Sequence, residues 1–308
     1  MERCLINVST ETKRNVRKLF DLDEPGRLED AVQILDEWIK KQTHFLKTDY
    51  ERAYLERTII FCKGSIEKAK QQIDRLCTYK TMVPVFFECT NMMEMKSVFE
   101  ICTVAVLPEL TPDHYRVLLV KINNTDFDAK KFMTFYKCCI MIAEYLKRHD
   151  YCTGYIMVND YRNINVTDML TKIDFVNIPQ FLSIIIQGYG CSVKGIHFLT
   201  PSKLIENFVN IFKQFVSEKL SGRIHALKTL ENLYDYIPKD ILPVEYEGGE
   251  KSVELLNDDL MKVFTTTETM NYLEMMKNAC TDESKRQKDI FNEQYMGLPG
   301  SFRALTVD

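Results

Sequence analysis

Nowhere in this 308-residue chain do the roughly 18 to 20 uninterrupted apolar residues of a membrane-spanning helix occur; the most apolar runs, Cys138 to Ala143 and Phe181 to Ile186, are far shorter. The N-terminus, with Glu2, Arg3, Asn7, Glu11 and Lys13, lacks the apolar stretch of a signal peptide. No glycine follows Met1 for myristoylation, and no prenylation box ends the chain. The expectation is a cytoplasmic protein. Ten cysteines are present, yet no Cys-x-x-Cys, so neither a zinc knuckle nor a thioredoxin-like motif is offered. Their irregular spacing, without a secretion signal, reads as reduced thiols filling a core.

Catalytic signatures are missing too. There is no His-Glu-x-x-His, no Gly-x-Ser-x-Gly and no phosphate-cradling Gly-x-x-x-x-Gly-Lys-Ser/Thr. Gly188-Tyr189-Gly190 lacks a correctly placed third glycine and precedes a strand, so it reads as a turn ending a helix. A net charge of −4 excludes a whole-molecule polyanion binder, and nucleic acid is not an expected partner. With 45% hydrophobic and 27% charged residues the chain is globular, not disordered. No enzyme, no metal and no cofactor are expected.

What is present is an ordered change of pattern. The first hundred residues read as helical: Leu28, Ala31, Leu35, Trp38 and Ile39 recur at helical spacing. Tyr54 to Phe61 forms a second segment, and Ile66 to Leu76 a third, with Ser65 placed to cap it. Pro84 then breaks the pattern. Four short β-rich runs follow, Arg116 to Ile122, Tyr151 to Val158, Ser192 to Leu199 and Arg223 to Leu227. Between them lie helical patterns at Phe132 to Leu146, Val166 to Gln187 and Ser202 to Val216. Strands alternating with helices of this length predict an α/β fold with a mainly parallel sheet and helical crossovers. Pro238, Pro243 and Gly248-Gly249 punctuate the end of that unit, and Val253 to Val263 returns to a helical pattern. The implied organisation is a helical subdomain at 1–95, an α/β domain at 96–250, and a helical and extended tail at 251–308.

Single polar residues say less. His197 and His225 fall in predicted strands and read as hydrogen-bonded structural histidines. Asp160 ends a strand at the carboxyl edge of the sheet, where α/β sites often lie; a capping or turn role is the other reading.

Thr200 to Val216 is the most informative segment. Thr200 is placed to cap and Pro201 to open a helix. Leu204, Ile205, Phe208, Ile211, Phe212 and Phe215 then fall on one face, against Lys203, Glu206, Asn207, Asn210, Lys213 and Gln214 on the other. A helix docked permanently on the core has this pattern; so does a lid that turns its phenylalanines toward a bilayer. Between Ser192 and Thr229 six basic residues face only Glu206 and Glu218, a local net of +4. Such a run is either a solvated face or an attraction to anionic headgroups.

Val193 to Gly249 closely resembles the second half of a CRAL-TRIO domain, in the α-tocopherol transfer protein and retinaldehyde-binding protein group. The resemblance is carried by Gly195-Ile196-His197, by Glu218-Lys219 leading to Arg223-Ile224-His225, and by the closing Leu242-Pro243-x-Glu245-Tyr246-x-Gly248. Ile34 to Tyr79 is similar to the helical N-terminal subdomain, and the final Gly300 to Asp308 resembles the tails of arthropod members. The resemblance implies a CRAL-TRIO lipid-binding fold with a gate helix at Ser202 to Val216. It also implies phosphoinositide headgroup contacts at Lys194, Lys219 and Arg223. Three departures stand out. Ser192 occupies a basic position, an arginine-rich signature is reduced to Arg57 with Ile60 where a further arginine is usual, and Asp160-Tyr161-Arg162-Asn163 replaces Asp-x-Glu-Gly. These weigh against the headgroup contact rather than the fold.

The expected pocket walls are Phe135, Cys139, Ile156, Val158, Phe181, Ile185, Phe208, Ile211 and Phe212. The gate and membrane contacts are Leu204, Ile205, Phe208, Phe212 and Phe215. The expected function is binding and transfer of a small hydrophobic lipid, such as tocopherol or a retinoid, between membranes, at transient contact with an anionic surface. The alternative is a phosphoinositide-sensing module that recruits a partner. A lipid hydrolase or isomerase finds no identifiable nucleophile or acid–base pair.

Overall fold

A computed structural model describes residues 5–286. Near the N-terminus α1 (Thr10–Leu19) is capped by Ser9, and α2 (Arg27–Lys40) buries Leu28, Ala31, Val32, Leu35 and Ile39, the face its spacing predicted. Helix α3 (Arg52–Phe61) and α4 (Ile66–Met82) complete a bundle. The Ser65 side chain accepts from the Lys68 N–H at the start of α4, and Pro84 stands two residues past its end. A short α5 (Lys96–Phe99) leads into the sheet.

Five strands lie in the order β1 (Cys102–Leu110), β2 (Tyr115–Ile122), β3 (Gly154–Asp160), β4 (Val193–Leu199) and β5 (Ile224–Leu227). β2 to β5 are parallel; β1 pairs antiparallel with β2 and was not anticipated. The strand expected from Tyr151 begins only at Gly154. Before it, Asp150 makes a bidentate pair with the fully buried Arg116, at 2.8 Å for both bonds, and accepts from the Tyr151 N–H. Tyr151 itself reaches back to Glu56 and Arg17 of the helical bundle.

The sheet has two different faces. One carries Val104, Val106, Val120, Tyr155, Met157, Ile196, Phe198 and Ile224, packed in the large core with the helices. On it lie α6 (Ala129–His149), α7 (Val166–Lys172), α8 (Ile178–Ser183) with its π-helical continuation Ile184–Gly188, and α9 (Ile205–Phe212). The other face carries Val117, Leu119, Ile156, Val158 and Leu199. It is covered by Leu233 of α11 (Leu230–Tyr234), by Ile237, Leu242 and Tyr246 of the closing loop, and by α12 (Val253–Phe264). A one-turn α10 (Glu218–Ser221) precedes β5.

The single helix expected over Val166 to Gln187 is broken. Asp174 accepts from the N–H groups of Val176 and Asn177, which forms a turn, and Pro179 restarts the chain in α8. Gly188 to Gly190 ends the π segment as a turn, with Gly190 at φ 71°.

The chain end folds back. Asn257 of α12 donates to Val104 O at 2.8 Å. After α13 (Thr267–Lys277), Arg286 makes a bidentate pair with Asp74 of α4. The Gly300 to Asp308 resemblance lies outside the described residues. Among those residues nine cysteines are free, and no helix is long and apolar enough to cross a membrane.

Candidate functional site

The helix-covered face of the sheet is not packed like its opposite. Val117, Leu119, Val158 and Leu199 on the loop-covered face are fully buried. Directly beside them, Leu118 and Met157 point under the helices yet remain partly open. Cys139 of α6 behaves in the same way. Burial pushes its thiol pKa far above the ordinary range, with Cys102 of the sheet as the charged neighbour, so it lies deep. Its surface is nonetheless only half-buried. Half-buried apolar side chains under the helices make this face less tightly packed than its opposite. Phe135 and Ile185 are partly open as well and pack against the same core.

Helix α9 packs on the same face of the sheet. Its buried face is Ile205, Phe208, Val209 and Phe212. Phe198 of β4 meets Phe208 edge-on at 5.2 Å and Phe212 at 6.0 Å between ring centroids. Phe175, in the turn between α7 and α8, touches Phe208 and Phe215.

Several expected positions need correction. Ile156 and Val158 sit on the opposite face of the sheet, among Leu119, Leu199 and Tyr246, so they cannot line a space under α9. The β3 sequence is apolar on both faces, which left its phase unreadable; the inward residues are Met157 and Asn159. Ile211 and Leu204 face outward, 43% and 45% exposed, while Val209 takes the inward place assigned to Ile211. The helix begins four residues later than the Thr200–Pro201 signal implied, because the Thr200 hydroxyl accepts from Ser202 N–H in a turn. Phe215 follows α9 in a 3-10 turn and is half-buried. Phe181 is core, stacked on Tyr136 at 4.6 Å.

A second feature adjoins the end of α9. Lys194, Lys219 and Arg223 come together in an open cleft of about 320 Å³, with Phe215 and Val216 on its rim. Lys63, from the turn between α3 and α4, joins them and was missed because it lies 131 residues before Lys194. Burial, then the charges of Lys63, Arg223 and Lys219, lower the Lys194 pKa. Ser192 lines the same cleft, so Lys63 supplies a charge where the sequence offered a hydroxyl. Lys194 lies against Gly154, where a Cβ would come within 2.5 Å of its Cε; only glycine admits that approach.

The histidines differ from expectation. His197 is buried, and neither ring nitrogen has a hydrogen-bond partner. It lies against Tyr236 at 4.3 Å and His225 at 5.5 Å, over Gly195, where a Cβ would meet its Nε2 at 2.5 Å. Asp160 is a turn residue. It accepts from Arg162 N–H, pairs with the Arg162 guanidinium at 2.8 Å, and accepts from the Tyr246 hydroxyl at 2.6 Å. The Arg162 departure and the closing Tyr246 are thus parts of one cluster. No group of three or more His, Cys, Asp or Glu able to hold a metal ion occurs among the described residues.

Comparison with known proteins agrees with this architecture. Residues 24–97 match the family described as Pinta-like, UBA domain. The crystal structure of Sfh5 is similar in fold, with a TM-score of 0.50 and 15% identity over 88% of this chain and 99% of that one. No curated protein matches the chain. Residues 102–248 match the CRAL/TRIO domain family, and the five-stranded sheet and its helical covering lie on the same residues, so this part of the chain has a CRAL/TRIO-like fold.

Proposed function

We propose that the protein binds a small hydrophobic lipid in the space between the sheet and α9 and carries it between membranes. The observation that supports this best is the partly open Leu118, Met157 and Cys139 beneath a closed aromatic lid. Removing about 400 Å² of apolar ligand surface from water contributes roughly 10 kcal/mol before association costs. Such a ligand escapes slowly into water, so unloading requires an apolar destination. On this reading α9 is the gate, and its outward Leu204 and Ile211 enter the bilayer while Phe208 and Phe212 leave Phe198. A tocopherol, a retinoid or a similar isoprenoid suits the aromatic and sulfur-rich walls. The carrier performs no chemistry on its cargo and needs no cofactor.

The test is transfer of a fluorescent isoprenoid between vesicles. Ile211→Asp changes an exposed side chain and should leave the melting temperature and equilibrium binding nearly unchanged. Transfer should slow by about tenfold, the loss of roughly 1.4 kcal/mol of interfacial contact. Unchanged transfer would remove the gate from the mechanism; absence of isoprenoid binding by the unaltered protein would end the carrier reading.

The cleft supports a second element. Four cations beside the gate suit an anionic headgroup, a phosphoinositide above all, which would hold the gate against the membrane. A phosphoinositide-sensing module that recruits a partner remains the alternative role for the same cleft. It predicts vesicle binding without lipid transfer.

A further inference from the structure

One polar side chain points into the greasy space. Along β3 the residues alternate strictly. Ile156 and Val158 go to the loop-covered face, and Asp160 follows them to meet Tyr246. Met157 goes under the helices, and Asn159 is the next residue in that series. Its register neighbours agree: Asn159 lies between Val120 of β2 and Phe198 of β4, both on the helix-covered face. Asn159 is therefore one strand away from the ring on which Phe208 and Phe212 close.

Its amide makes no hydrogen bond among the described residues, and it is partly open rather than sealed. The other polar groups nearby are engaged or weaker. The Tyr136 hydroxyl donates to Asp174 O at 3.3 Å, and the inward residues nearest Asn159, namely Leu118, Val120, Met157, Ile196 and Phe198, carry neither charge nor hydrogen-bonding group, while Arg116 and Tyr155 at the other end of the same face are engaged with Asp150 and Cys152. A carboxamide costs free energy in such surroundings unless a partner arrives, and it offers both a donor and an acceptor.

We propose that Asn159 is the specificity-determining anchor of the chamber. It selects a lipid with one neutral hydrogen-bonding group, an alcohol, phenol or carbonyl, at an otherwise hydrocarbon body. The amide oxygen accepts from a ligand hydroxyl, or the amide nitrogen donates to a ligand carbonyl. A charged phosphate head is disfavoured at this position, because the cations in phase on the central strands are engaged elsewhere: Arg116 is paired with Asp150, and Lys194 lies in the open cleft against Gly154. This rests on the carrier reading and adds the class of cargo to it.

The experiment uses three isoprenoids with one carbon skeleton: geranylgeraniol, the matching aldehyde and the matching hydrocarbon. Affinities for the alcohol and the hydrocarbon are measured with the full chain and with Asn159→Leu. Taking the ratio within each protein cancels the difference in their hydration. The alcohol-to-hydrocarbon affinity ratio should fall about tenfold in Asn159→Leu, with hydrocarbon binding kept. An unchanged ratio overturns the anchor while leaving the carrier intact, whereas a wild-type protein that binds none of the three overturns the carrier and the anchor together. Because a strand substitution can impair folding, the unaltered protein supplies an independent readout. The carbonyl stretch of the bound aldehyde should lie at lower frequency than in hexane; a frequency equal to that in hexane overturns the proposal.

Discussion

Adjacent parallel strands present His197 and His225 at the same register, and Tyr236 lies across both rings. Burial, with His225 beside it, lowers the His197 pKa from 6.5 to about 4. The His225 pKa is also lowered, by burial and by Lys213. The folded pKa lies below the unfolded one, so the unfolded chain takes up the proton first as pH drops. Stability is therefore full above about pH 6.5 and declines toward about pH 4, by as much as roughly 3 kcal/mol from His197. Urea unfolding at about pH 7 and about pH 4.5 should show His197→Leu losing about 2 kcal/mol less than the unaltered protein across that interval. Equal losses would mean that the ring is not the acid-sensitive group. Nothing in the sequence announced this arrangement. A histidine alternating with Gly195 looks like any strand position until Tyr236, 39 residues further on, is seen to cover it.

At the scale of elements, legibility followed the contrast between faces. Helix α2 alternates sharply between apolar and polar, and its buried face was read correctly. Strand β3 has apolar residues on both faces because both are covered, so its phase could not be read and Ile156 and Val158 were assigned to the wrong side. The helix expected at Ser202 to Val216 is present in part as α9, but its inward face includes Val209 instead of Ile211, and the turn at Thr200 delays its start. The cleft was half legible: the family resemblance singled out Lys194, Lys219 and Arg223, while Lys63 is brought in only by the packing of the bundle. Lys63→Ala should weaken binding to anionic vesicles about fivefold at low salt, and much less when salt screens the surface. Sedimentation with vesicles at two salt concentrations measures this, and equal binding at low salt would exclude Lys63 from the contact.

The whole molecule is held together by a buried polar junction between the bundle, α6 and α13. Glu144 of α6 accepts from the Tyr189 and Tyr272 hydroxyls at 3.1 and 3.0 Å and pairs with Lys80 of α4 at 3.3 Å. Lys80 also donates to Met276 O, and Lys147 donates to Gln72, which donates in turn to Gly188 O. Burial lowers the Lys147 pKa to about 8, so this junction contains a lysine that is costly to keep charged. Removing one partner from a buried pair costs about 3 to 5 kcal/mol. Glu144→Gln should therefore lower the single calorimetric transition of the whole chain, with bundle and sheet still melting together. A second, separate transition in the unaltered protein would show that the junction does not couple them. Helix α9, the proposed gate, is placed quite differently. It is part of the crossover joining β4 to β5, two strands hydrogen-bonded to each other, and the segments Thr200 to Leu204 and Lys213 to Ser217 connect it to the rest of that crossover. Five extended residues reach at most about 17 Å. On the proposed carrier reading the door is hung on two posts of one frame: it would swing aside far enough for a slender guest to slip out lengthwise, and the frame would pull it shut behind.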